Sequence, residues 1–483
     1  MSEITASRKP PRSGFVLPVA LGSKFFHRVL GAIVFIGSLA IYYSTTCPVV
    51  YYGDAGEFIT AAWTGGVAHP PGYPIYIILL AIFLRLPLAW LAPKTEFFQL
   101  IAWQANFFSA VVSAVTVWLI YLILLRLLRS PLPALGGGFL AALSRTFWSQ
   151  AGITEVYALN ALFIAWMTLI GLLISEAAPG SKRRLILLRW GSLAYGLSLS
   201  NHHEAIFMFP LWLTMIIITL SAPRESRRLF APGKAILDGL IFFAIGLLPY
   251  LYLPFAAASK PVLNWGDPSN LTNFIKVVTR AEYQEIKASI TGDLITSFDV
   301  LIAFIKWSLL QYFPGMLIFA VFGFGMLVRK SPHRAVLNAC AISIAAMSIA
   351  FIVYFGRIDR ASLFFLEVYF IPWYLAIGGL IAYGMMSLLT LGRIYSSRPR
   401  PFIVLIIAVT LIFGAWLGRA QNQHVSDMSD NIVGYVYSHD VLLTLPDSPQ
   451  KNILITGGDE IFLFWYWSCL LYTSDAADEE DSV

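Results

Sequence analysis

The chain has 483 residues, of which 58% are hydrophobic and 12% charged, and its formal net charge is +6. That balance excludes an ordinary soluble domain, which needs far more polar surface to cover its core. It also directs the positive charge away from nucleic acid and toward basic loops at a membrane face.

Apolar runs of about 20 residues recur along the chain, each long enough to cross a bilayer core as a helix. The first follows a basic stretch from Arg8 to Arg28 and lacks a small-residue cleavage site, so it reads as a retained helix. Eleven spans are expected, at residues 29–46, 100–125, 134–151, 158–175, 186–201, 204–221, 236–255, 314–328, 336–354, 364–388 and 401–418. With the N-terminus cytoplasmic, the six inner segments carry 21 of the 33 Lys and Arg residues. They run from Arg8, Lys9 and Arg12 to Arg393, Arg398 and Arg400, an alternation that the positive-inside bias produces. Counting residues 74–92 as a span would put Arg126 and Arg129 outside, and Arg85 and Pro87 fit poorly in a lipid-facing helix. This stretch is therefore expected as a juxtamembrane or re-entrant helix on the outer face.

The expected organisation is a basic cytoplasmic N-terminus at 1–28, a transmembrane domain at 29–420 and the start of an outer soluble region, cut short, at 421–470. Long outer loops at 47–99 and 256–313 are where function concentrates. Residues 471–483 are small, acidic and unpatterned, and break abruptly from Phe462-Leu-Phe-Trp-Tyr-Trp467, so they read as a non-native tail. Cys47, Cys340 and Cys469 are too few and scattered for a disulfide framework or a thiolate metal site.

The first outer loop opens Tyr51-Tyr-Gly-Asp54-Ala-Gly-Glu57-Phe58, two carboxylates three apart and hence on one face if helical. An interfacial carboxylate, partly desolvated, gains a raised pKa and suits a general base. The alternative makes Asp54 a helix N-cap. Residues 65–74, Gly-Gly-Val-Ala-His69-Pro-Pro-Gly-Tyr73-Pro, form a rigid corner, with His69 either a donor to phosphate, an orienter of a base or a structural side chain. At Trp148 to Tyr157 the aromatic ends suit an interfacial belt, and Glu155 is an acid at the boundary. Asn201-His202-His203-Glu204 lacks the i, i+4 pairing of a zinc helix, so a polar hinge is expected and no metal. Asn264-Trp265-Gly266-Asp267-Pro268 reads as a turn in the second long loop, followed by Arg280 and Tyr283, and spacing does not show whether it contacts a substrate. Arg357 and Arg360 lie beside the bilayer, where they grip a lipid-linked phosphate or anchor headgroups. Gly457-Gly-Asp-Glu460 superficially resembles a nucleotide-cyclase signature without the domain it needs, and no phosphate-binding glycine loop occurs elsewhere, so soluble nucleotides are not expected.

Gly53-Asp54-Ala-Gly-Glu57-Phe58 followed by His69-Pro-Pro-Gly-Tyr73-Pro resembles a multispanning family long known as a domain of unknown function, which includes the transmembrane-protein-260-type protein O-mannosyltransferases. Trp148-Ser-Gln150, Glu155-Val-Tyr157, Asn160, Asn201-His202, Leu263 to Pro268 and Gly458 to Tyr466 look like its further signatures. The resemblance implies an all-α polytopic membrane protein with a GT-C-like bundle of about 11 transmembrane helices and a juxtamembrane helix in its first outer loop. It implies transfer of a sugar from a polyprenyl- or dolichyl-phosphate carrier to a hydroxyl on the extracytoplasmic face, with inversion. In that reading Asp54 is the base and Glu57 its catalytic partner. His69, Tyr73, Glu155, Tyr157, His202, Trp265 and Asp267 contact substrate; the lipid-linked donor is the one cofactor the resemblance implies, and no metal ligand is assigned. Partners are membrane lipid, that donor and a protein or glycan acceptor. The membrane is a bacterial inner membrane or, alternatively, an endoplasmic reticulum. Transfer to a lipid or cell-envelope polysaccharide is the second reading. A lipid or polysaccharide transporter is the third, disfavoured because ionisable residues gather at outer loop edges.

Overall fold

A computed structural model describes residues 24–221, 232–282, 294–356, 358–392, 401–444 and 460–471. Among them the chain is helical, with two isolated β-bridges, Val67–Asn264 and Leu294–Asp359. The first twelve helices are α1 (Lys24–Ser44), α2 (Ala55–Thr64), α3 (Pro74–Leu84), α4 (Leu100–Leu128), α5 (Pro131–Ala142), α6 (Arg145–Ala151), α7 (Tyr157–Glu176), α8 (Lys182–Asn201), α9 (Phe209–Leu220), α10 (Pro232–Gly246), α11 (Tyr252–Ala258) and α12 (Leu271–Thr279). Among the described residues eight helical segments are long and apolar enough to cross a membrane, and a ninth if the pair Ser297–Leu310 and Pro314–Leu327, bent by 94°, counts as one span. The protein is a multi-span, all-α membrane protein.

The count departs from eleven for physical reasons. Expected span 134–151 is broken at Leu143–Ser144 into α5 and α6. With 12 residues, α5 reaches only about 18 Å, short of a bilayer core of about 30 Å. Expected span 186–201 lies in α8, a helix of 20 residues whose apolar character Lys182, Arg183, Arg184 and Arg189 dilute. It still packs inside the bundle. A Cβ on Gly196 would stand 2.8 Å from the Cα of Gly246, so only glycine lets α8 and α10 approach so closely. Buried Arg184 is satisfied by the Ala177 and Ile218 carbonyls at 3.0 and 2.7 Å.

Helix α4 organises the rest. Its 29 residues contain no glycine or proline, and its buried side chains, among them Trp103, Asn106 and Tyr121, meet α1, α5 and α7. At its N-terminal end Gln104 donates to the carbonyls of Phe83 and Leu86 at 2.7 and 2.9 Å, and Gln99 accepts from the N–H of Val50 at 2.9 Å. The first long loop is thus tied to one end of the bundle. Helix α3 stops at Leu84 after 11 residues, about 16 Å, too short to cross and in line with the juxtamembrane reading of 74–92.

Candidate active site

Asn106, buried in α4, donates to the carbonyls of Cys47 and Val49 at 2.9 and 3.0 Å and accepts from Thr154 at 2.6 Å. The chain is therefore fixed before it turns at Gly53, whose φ of +94° favours glycine. Asp54 then takes the N-cap position of α2, but its side chain makes no cap hydrogen bond. The capping role allowed by the sequence is not the one the carboxylate plays.

One turn on, Glu57 is fully buried, and both of its oxygens are committed to His69. The His69 N–H donates to Oε1 at 2.7 Å, and Nδ1 lies 2.5 Å from Oε2. The Nε2 of His69 reaches the Tyr73 hydroxyl at 2.9 Å and stands 3.8 Å from Asp54 Oδ2. The two carboxylates share a helix face as their spacing requires, yet they divide the work: Glu57 grips the imidazole from within, while Asp54 stays partly exposed.

The corner that delivers His69 is built from its glycines. Val67 pairs with the second long loop, donating to Leu263 at 2.8 Å and accepting from Trp265 at 3.1 Å. A Cβ on Gly66 would stand 2.5 Å from the Leu263 carbonyl, so this approach requires glycine. Gly72 and Tyr73 turn through the left-handed region, and Pro74 starts α3.

Around this centre His202, buried, stacks on Tyr73 with centroids 6.0 Å apart and touches Tyr157 and Tyr369. Its Nδ1 accepts from the Glu204 N–H at 3.4 Å, which leaves the ring proton on Nε2. Glu204 in turn accepts from Asn160. Trp265 packs edge-on to His69 at 6.2 Å, and Glu155 lies electrostatically against Tyr51, Tyr76 and Tyr157. Of the remaining sequence candidates, Asp267 is exposed and holds its own turn through Asn264 at 3.1 Å. Exposed Arg360 interacts electrostatically with Asp299, which completes a capping box with Thr296 at the start of the helix Ser297–Leu310. Arg357, Gly457 to Asp459, residues 1–23 of the basic N-terminus and residues 472–483 lie outside the described residues.

Two contributors were given no role from the sequence. Arg280, at the C-cap of α12, interacts electrostatically with Asp54, His69, His202, His203 and Tyr369. Phe462 stacks on His69 at 6.4 Å and 13°, with Trp465 beside it and against Trp265. The Gly458 to Tyr466 signature was the available signal for the second, whereas a lone loop arginine offered none for the first.

These surroundings perturb the acid and the base. Removal from water raises Asp54 above the ordinary carboxylate range and the Glu57 charge adds to this, while His69 and Arg280 pull it down. Burial alone would lower His69, but Glu57 and Asp54 outweigh it and hold the imidazole above its usual value. Asp54, Glu57 and His69 are also a geometrically possible cation site, with donor atoms within 4.8 Å of one another. A cation there would have to compete with His69 for both Glu57 oxygens.

With this geometry in hand, the chain was compared with known proteins. Residues 54–225, beginning at Asp54 itself, match the model of the protein O-mannosyl-transferase TMEM260 N-terminal domain. Over these residues the chain is similar to that family. The mouse protein O-mannosyl-transferase TMEM260 is 31% identical over 259 residues, covering 52% of this chain and 34% of the relative. The Dictyostelium discoideum protein of the same description is 26% identical over 462 residues, covering 88% and 54%. The chain thus spans about a third to a half of the length of these TMEM260 relatives. In fold it is similar to ArnT from Cupriavidus metallidurans, at a TM-score of 0.57 and 13% identity over 90% of this chain and 84% of that one. It is similar also to the archaeal oligosaccharyltransferase AglB from Archaeoglobus fulgidus, at 0.51 and 14% over 88% and 58%. The bundle is therefore GT-C-like in fold, and the motifs that resemble TMEM260-type signatures gather at one end of it.

Proposed function

We propose that this chain is a membrane glycosyltransferase that moves a mannose-like sugar from a polyprenyl-phosphate carrier to a protein hydroxyl. The mouse and Dictyostelium relatives carry the name of that activity. The neighbour ArnT has been solved with undecaprenyl phosphate, and AglB with dolichol-phosphate and a peptide. The observation that carries the reading is Asp54: a partly exposed carboxylate without a cap bond, 3.8 Å from an imidazole held rigid by Glu57 and Tyr73.

The acceptor O–H gives its proton to Asp54 as its oxygen attacks the anomeric carbon. The bond from that carbon to the phosphate oxygen breaks, and the carrier monophosphate leaves on the opposite face, so configuration inverts. A carboxylate pKa raised toward neutrality suits this base, because transfer is most effective near the operating pH. Arg280, facing the same cluster, supplies positive charge where the leaving phosphate develops its negative charge. In this reading it takes the role that the sequence suggested for Arg357 and Arg360. The basic loops support a cytoplasmic N-terminus, with the site on the opposite side of the membrane.

The test is transfer of label from radiolabelled polyprenyl-phosphate mannose to a mixed acceptor extract, wild type against Asp54→Asn. Label on protein with wild type and none with the variant is the expected outcome. Equal transfer by both, or none from any polyprenyl-linked sugar, would overturn the assignment. Label on lipid or polysaccharide would move the acceptor class and leave the chemistry of Asp54 in place.

A further inference from the structure

Lipid-facing helices expose apolar side chains as a matter of course, but α12 lies outside the candidate spans and does so too. Leu271 is 74% exposed and Ile275, one turn on, 50%, while Val262 just before the helix is 80% exposed. Leu271 and Ile275 form one stripe at i and i+4, with exposed Lys276 beside it. Such a surface on a soluble face is unfavourable unless something covers it.

What covers it follows from where the helix sits. The flank of α12 that ends at buried Val277, with half-buried Phe274 and Val278 between it and the stripe, packs on Val67 and on Leu253, Ala256 and Ala257 of α11. Helix α11 is the end of the candidate span Gly233–Ala258, and its Phe255, 75% exposed, points away from that contact. Thus α12 lies alongside the last turns of a membrane span, at the level where that span leaves the bilayer. Its orientation is fixed. The Asn270 side chain caps its first turn at 3.0 Å, and Asn273 donates to the Asp267 carbonyl at 2.9 Å. A short helix that is apolar on one side, with lysine at its edge and set at that depth, matches an interfacial amphipathic element.

The far end of the same helix is Arg280, with a φ of +56°, directed at Asp54, His69 and His202. We propose that α12 beds its Leu271–Ile275 face, with Val262, in the headgroup region of the bilayer, Lys276 meeting lipid phosphates, and that this contact holds Arg280 in register for a donor phosphate lying at the same depth. The bilayer contact stands on α12 alone. The coupling to Arg280 rests on the proposed use of a lipid-linked donor.

The test has two arms in lipid nanodiscs containing anionic lipid. In the first, Ile275→Cys carries an environment-sensitive fluorophore on a background with Cys340 and Cys469 replaced by Ala, Cys47 being buried. Quenching by lipids bearing a nitroxide high on the acyl chain is compared with the same label at Asp440, whose side chain is 68% exposed and which lies outside the candidate spans. At least twofold stronger quenching at 275 is expected. Quenching no greater than at Asp440 overturns the bilayer contact and assigns that face to a protein partner. In the second arm, Leu271→Ser with Ile275→Ser is expected to raise the KM for polyprenyl-phosphate mannose at least fivefold, with acceptor KM unchanged within twofold. Lys276→Glu is expected to act in the same direction, more weakly. Strong quenching with an unchanged donor KM overturns the coupling to Arg280. If wild type transfers from no polyprenyl-linked sugar, the proposed function fails while the quenching arm still decides the membrane contact.

Discussion

Replacing Glu57 by Gln tests the division of labour between the two carboxylates. Glu57 is fully buried and holds His69 through two hydrogen bonds, at 2.7 and 2.5 Å, from the backbone N–H and from Nδ1. An amide can still accept one of them, but its NH2 then faces the Nδ1 proton, so the second becomes a clash between donors. A hydrogen bond to a charged group contributes about 1.5–3 kcal/mol, equivalent to a fall of roughly 10- to 150-fold in kcat/KM if the imidazole must be held for the reaction. The sign on His69 is also set. Glu57 is the largest influence raising its pKa, opposed by burial, so without that charge the imidazole titrates at lower pH. Initial rates of sugar transfer across a pH series, with melting of the detergent-solubilised protein as a fold control, measure both effects. A fall of less than about threefold with an unchanged pH profile would show that Glu57 is a packing residue and refute the reasoning.

Two further outcomes follow from the same geometry. Arg280 lowers the pKa of Asp54, and the base acts deprotonated, so Arg280→Ala should move the acid limb of kcat/KM to higher pH; that limb belongs to the coupled Asp54–His69 pair, and no movement would remove Arg280 from the site. Asn106→Ala leaves the Cys47 and Val49 carbonyls without their donor beneath the first loop, at a cost of about 1–3 kcal/mol for each buried group left unsatisfied. Its melting temperature should fall, and an unchanged value would mean that the loop is held elsewhere.

The membrane class and most spans were legible in the linear sequence because a run of about 20 apolar residues has one low-cost fate in a bilayer. The corner at 65–74 was legible for a similar reason: Gly and Pro act on the local backbone whatever surrounds them. Residues 74–92 were read as a non-spanning helix from Arg85, Pro87 and charge bias, and α3 does stop at Leu84. The division of 134–151 into α5 and α6 was not legible, because hydropathy alone does not register a break at Leu143–Ser144 in an apolar stretch.

Spacing put Asp54 and Glu57 on one helix face, but which would be buried depended on His69 folding back over α2, a tertiary event. Likewise, the sequence offered Arg357 and Arg360 as cations because they adjoin a span, whereas Arg280 stood in a long loop with nothing local to assign it a role. It joins the cluster because Val67 pairs with Asn264 and α12 packs on α11. Phe462 reaches His69 from the far end of the described chain. Composition and short-range stereochemistry act through neighbours in sequence, so they set the class of molecule and the shape of its corners. Electrostatic pairing acts through neighbours in space, and only the packed bundle decided which carboxylate is buried against His69, which stays partly exposed and which cation faces it.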